Sequence, residues 1–171
     1  MSENARTRVG KSEAEERERK AAEAALRAEH AAVYGYGVVG GRIAPERRDD
    51  ARAGYDAHRA RRDALERDVT DLGGTPEPAA AAYTLPFAVP DAAAALRLAG
   101  ALEERVAAVY ADLVRAASGQ RRADAASALR EAAVRAVRWS GDGVAFPGLA
   151  ERSNSAKESG KERPASPSPQ D

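Results

Sequence analysis

Two acidic residues stand out for their setting. Glu29 falls on a helix-spaced seam with Leu26, Val33 and Gly40, and Glu103 falls on one with Leu96, Ala99, Val106, Leu113 and Ala117. Each is followed seven residues later by a tyrosine, Tyr36 and Tyr110 respectively. A step of seven returns to the same helix face, so each Glu and its Tyr share that face. A carboxylate on an apolar seam must meet a cation or take up a proton, because burying it bare is costly. The chain offers few candidates for that cation. It contains no cysteine, which excludes disulfides, thiolate metal sites and a cysteine nucleophile. It contains two histidines. His58 lies on a third seam, with Tyr55, Arg62, Leu65, Val69 and Leu72, so both His58 and Arg62 can reach inward. His30 sits next to a seam residue, and a half-exposed, solvated position is expected for it.

The elements that must position these residues are helices. Ala, Leu, Arg and Glu dominate the composition, and these side chains lose little freedom in a helix. The first helix is expected from about Ser12 to Gly40, ended by Gly40, Gly41 and Pro45. The second runs from about Pro45 to Leu72 and stops at Gly73 and Gly74. The third starts at Asp91, a suitable N-cap, and closes at Ser118 and Gly119. The fourth runs from about Arg121 to Trp139, with Ala126, Leu129, Ala133 and Val137 inward.

Loop lengths then give the topology. The first and last connections are a few residues long and make antiparallel hairpins. The middle connection, Gly73 to Pro90, reaches up to ~60 Å when extended, against ~40 Å for the third helix. It can therefore run the length of the bundle. Two hairpins joined by one long crossover make an antiparallel, ferritin-like four-helix bundle. Within the crossover, Tyr83, Leu85, Phe87 and Val89 alternate with small residues and proline, as suits an extended strap packed on one face.

Depth in this bundle sharpens the site. Glu29 and His58 lie about equally far from the first turn and so face each other at one level. The level of Glu103 on the fourth helix falls around Val134 to Ala136. The helical wheel places Glu131, Arg135 and Arg138 on the polar face, leaving no inward carboxylate there. The inward polar set is thus Glu29, Tyr36, His58, Arg62, Glu103 and Tyr110. Both tyrosines are expected to fill core space and hydrogen-bond carboxylates.

The pairing of a core Glu with Tyr at plus seven on the first and third helices resembles the ferritin and bacterioferritin pattern. The strings AEHAAVYGYGVVGGRI, YDAHRARRDALE, YTLPFAVPDAAAALRLAGALEERVAAVYADLV and FPGL resemble a ferritin-like domain family of unknown function from high-GC bacteria, over about residues 20 to 149. The resemblance implies the fold and no particular activity. Di-iron members of the wider fold use a Glu-x-x-His pair on each of two helices, a spacing that puts both ligands on one face. This sequence contains no Glu-x-x-His.

The expected outcome is a buried ion-pair network on a non-enzymatic scaffold or interaction protein, with no cofactor. The alternative is a divergent, oxidase-like metal protein holding iron or another divalent ion on Glu29, His58 and Glu103. Lys plus Arg and Asp plus Glu balance at 27 each, which argues against a nucleic-acid partner. The Ala79–Leu96 stretch, the least polar, is broken by Pro86, Pro90 and Asp91 and cannot span a membrane. The Ala-rich faces are compatible with a homodimer, and a protein partner is not specified. The N-terminus lacks the apolar segment of a secretory signal, so a cytoplasmic location is expected. The run YGYGVVGG lacks the lysine and preceding strand of a phosphate loop and reads as close helix packing. Arg and Asp alternate along the second helix, and Arg59–Asp63 and Asp63–Arg67 are expected as surface pairs. The domain is expected over residues 12–149, with disordered tails at 1–11 and 150–171. Trp139 and Phe146 are expected to close one end of the bundle.

Overall fold

A computed structural model describes the chain over residues 3–141 and its side chains from Ser12 onward. Four long helices make an all-α four-helix bundle. Among the described residues they are α1 (Glu3–Arg42), α2 (Arg48–Asp71), α3 (Ala92–Ala116) and α4 (Gly119–Ser140), with a 3-10 turn at Pro45–Arg47. Helix α1 starts at Glu3 rather than near Ser12, so residues 3–11 of the expected N-terminal tail are helical. Glu3, Ala5, Arg6 and Arg8 favour the helix there, and further along α1 charge pairs one turn apart support it, such as Lys20 with Glu16 at 2.7 Å. The expected C-terminal tail and Phe146 lie outside the described residues.

The helix ends follow from identifiable residues. Asp91 is extended and its carboxylate accepts the Ala94 N–H at 2.8 Å, which caps α3. Gly73 is left-handed, with φ of 75°, and the N–H groups of Gly73 and Gly74 bond back to Thr70 and Val69. That terminates α2, because a side chain at Gly73 would oppose the left-handed turn. Gly141 ends α4 in the same way, with φ of 79°.

Contacts along the helices fix their directions. As residue numbers rise on α1 they fall on α2 (Glu29 to His58, Tyr36 to Gly54) and on α3 (Glu29 to Tyr110, Tyr36 to Glu103). They also fall on α4 as they rise on α3 (Gly100 to Trp139, Glu103 to Arg135). Helices α2 and α3 therefore run parallel to each other, and residues 72–91 carry the chain the full bundle length between them. Tyr83, Leu85 and Val89 of this crossover are half-buried while Thr84, Pro86 and Ala88 are exposed, which is the alternation of a strap. Phe87 departs from it, 36% exposed with the Arg97 guanidinium over its ring. His30 also departs from expectation. It is buried, because its Nε2 bonds the Glu77 carbonyl of the crossover at 3.0 Å.

The core is split into two apolar layers. One gathers Leu26, Leu65, Val69, Val106 and Leu113 with many alanines. The other gathers Tyr36, Val39, Ile43, Leu98, Leu102 and Trp139. Two seams are rotated from the expected phase. On α1 Leu26, Glu29 and Tyr36 of the expected seam are buried, but the buried line also takes in Ala22, Ala25, Ala32 and Val39, leaving Val33 half-buried and Gly40 exposed. On α4 the inward residues are Ala125, Ala128, Ala132, Ala136 and Trp139, while Val137 is 41% exposed. Alanine occurs on both faces of α4, so its pattern does not define an apolar side. Burying the large Trp139 does.

Candidate functional site

Between the two apolar layers lies a polar centre supplied by all four helices. Glu29 comes from α1, His58 from α2, Glu103 from α3, and each is 0% exposed. His58 bridges the two carboxylates. Its Nδ1 lies 2.6 Å from Glu29 Oε2 and its Nε2 lies 3.1 Å from Glu103 Oε1. The tyrosines cross over. Tyr110 of α3 donates to Glu29 Oε1 at 2.7 Å, and Tyr36 of α1 donates to Glu103 Oε1 at 2.5 Å. Each tyrosine thus serves the carboxylate of the opposite helix rather than its own, because a side chain seven residues along its own helix is about two turns away.

Helix α4 contributes Arg135, whose Nε donates to Glu103 Oε1 at 2.6 Å. This corrects the expectation that Arg62 supplies the positive charge. Arg62 turns outward and is held by Asp63 at 2.5–2.8 Å and more distantly by Glu66. That contact also takes Asp63 from the Arg59 and Arg67 pairings expected of it. Arg135 reaches in because α4 is rotated from the expected phase, which brings its stem off the polar face. Trp139, one turn further on, donates its indole N–H to the Tyr36 hydroxyl at 2.9 Å. The depth of Glu103 already pointed to Val134–Ala136, and that was the available signal for Arg135.

Protonation follows from the partners. Carboxylate oxygens only accept, so a ring that bridges two of them donates from both nitrogens and is an imidazolium. Burial pushes the His58 pKa down, yet the hydrogen bonds and charges of Glu103 and Glu29 outweigh it and hold the pKa above the ordinary 6.5. Burial opposes ionisation of Glu103, but His58 and Arg135 outweigh it and hold the carboxyl below the ordinary 4.5. Burial and the neighbouring carboxylates push both Tyr36 and Tyr110 well above 10, so they act as neutral donors. Two carboxylates, one imidazolium and one guanidinium sum to zero charge, which is what allows the set to be buried.

The donor set does not fit a di-iron centre. Both His58 nitrogens are engaged, Glu103 Oε1 already accepts three hydrogen bonds, and no Glu-x-x-His brings further ligands. Among the described residues, no group of three or more His, Asp or Glu side chains is arranged to hold a metal ion. The one acceptor left over is Glu103 Oε2, which is buried without a partner.

Fold and site together define a class: an all-α four-helix bundle with a neutral carboxylate–imidazolium–guanidinium centre. Residues 21–151 match the family described as "Domain of unknown function (DUF4439)", and the chain belongs to that family. The chain is similar to a conserved hypothetical protein, rv2844, from Mycobacterium tuberculosis, known from its crystal structure. The identity is 37%, the TM-score 0.71, and the match covers 72% of this chain and 95% of that one. No curated protein matches the chain significantly. Among the described residues, no helix is long and apolar enough to cross a membrane.

Proposed function

We propose that this protein is a non-enzymatic, ferritin-like bundle whose ancestral metal position has become a structural ion network, and that it acts through a protein partner or through self-association. The observation that supports this reading is the His58 bridge. A histidine that donates from both nitrogens has no lone pair for a metal. The network then serves to lock the register of four Ala-rich helices, which have little side-chain shape of their own to do so.

A mononuclear metal site on Glu29, His58 and Glu103 is the second reading, and the unpartnered Oε2 of Glu103 favours it. It requires His58 to release a proton and one carboxylate to change partner. Elemental analysis after mild purification separates the two. The first reading expects no stoichiometric iron, manganese or zinc and an unchanged melting temperature on adding each as the divalent ion. Stoichiometric metal that disappears in Glu29→Gln and Glu103→Gln overturns it in favour of the second.

A further inference from the structure

Among the described residues, the exposed large apolar side chains are Phe87, Val134 and Val137. Phe87 has the Arg97 guanidinium over its ring. The two valines lie together on α4, about one and two turns before Gly141, and Val134 is 45% exposed. Steps of three and four put Ala126, Ala133 and Val137 on one stripe, with Val134 and the exposed Arg130 beside it. This face points away from α2. Glu131, which meets Arg61 of α2, and Arg135, which meets Glu103, lie on the other side of the helix. A contiguous apolar face of this kind marks an interaction surface.

The residues that follow α4 suit that face. The family match runs to residue 151, past the end of α4, so residues 142–151 belong to the domain. Within residues 142–171 the large apolar side chains are Val144, Phe146 and Leu149, all inside that segment. Gly141 turns the chain off the helix axis. It is left-handed, with φ of 79°, and its N–H bonds the Val137 carbonyl at 2.8 Å. Val134 lies about 10 Å back along the axis from Gly141. Chain extended from Gly141 to Phe146 reaches up to ~17 Å, enough to return to that level. Alternate residues of an extended segment share a side, which would align Val144 with Phe146, and Pro147 is compatible with such a backbone. The end of the bundle offers Phe146 less. Trp139 is already buried there, with Arg47 4.4 Å from its ring centre and the Tyr36 hydroxyl on its indole N–H.

We infer that residues 142–151 fold back along the outer face of α4, with Val144 and Phe146 packed on Val137 and Val134. The occupant of the face is then this chain's own segment, tethered one residue from the helix it covers. The inference does not involve Glu29, His58 or Glu103 and stands independently of the function proposed above. It does withdraw this face of α4 from self-association.

The chain has no cysteine, so a single introduced thiol reports its own position. Full-length Val134→Cys is labelled with a maleimide under native conditions, beside full-length Ala60→Cys, an exposed position on α2. Each rate is divided by the rate of the same variant in urea, which removes differences in intrinsic reactivity. Labelling of Val134→Cys is expected to be slower than that of Ala60→Cys by about tenfold or more, at every protein concentration. Adding Phe146→Ser to Val134→Cys should abolish most of that protection and leave Ala60→Cys unchanged. Equal rates for the two single variants overturn the inference without reference to Phe146. Protection that survives Phe146→Ser also overturns it, and protection that fades on dilution overturns it by assigning the face to a second copy of the chain.

Discussion

With a carboxylate on each side of its ring, His58 ties the stability of the bundle to pH. Its pKa is raised by folding, so the stability it contributes is complete below the ordinary 6.5 and is lost as pH rises through the folded value. That of Glu103 is lowered by folding, so its contribution is complete above the ordinary 4.5 and is lost as pH falls through the folded value. The melting temperature is therefore expected to peak between about 4.5 and 6.5 and to decline on both sides. Replacing His58 with Gln should remove the alkaline limb, which a thermal melt series across pH will read. Two arginines give a second test. Arg135→Ala strips the guanidinium from a fully buried carboxylate and should cost about 3–5 kcal/mol. Arg62→Ala removes contacts to the half-exposed Asp63 and Glu66 and should cost about 1 kcal/mol or less. Equal losses in urea unfolding would show that Arg135 is not what neutralises Glu103.

At the scale of the helices, small residues set how closely backbones approach. A Cβ at Gly54 of α2 would lie 2.4 Å from the Tyr36 ring and 3.0 Å from its hydroxyl oxygen. Gly54→Ala must displace the tyrosine that serves Glu103, and a destabilisation of about 1–3 kcal/mol is expected. Gly37 on α1 is exposed, and a Cβ there meets nothing within 4 Å. Gly37→Ala should stabilise by about 0.5–1 kcal/mol, since only the entropy cost of glycine in a helix is removed. Opposite signs in the two unfolding midpoints check the packing of α1 on α2.

For the molecule as a whole, the crossover decides the architecture. Helix α2 has 24 residues and spans about 36 Å. Residues 72–91 cover that distance easily. A variant with the crossover cut to about six residues reaches only ~20 Å and cannot return α3 to the starting end of α2. Light scattering on such a variant should find a domain-swapped dimer or aggregate in place of the parent species. An unaltered parent species with the same thermal stability would mean that the crossover does not run the bundle length.

By itself the sequence determined the four helices, most of their ends and the long crossover, because these rest on short-range causes: helix-forming composition, Asp91 as a cap, paired glycines as stops and the length of one loop. It also marked Glu29, His58, Glu103 and both tyrosines, since a polar residue on an otherwise apolar seam can be read from spacing alone. Tertiary structure decided the rotation of each helix about its axis. Alanine lies on every side of α4, so no hydrophobic stripe distinguishes Ala132 from Ala133, and only packing Trp139 against Tyr36 turns Arg135 inward. The choice of Arg135 over Arg62 and the crossing of the tyrosines both follow from that rotation. Interhelical geometry sets it, and no single helix carries it.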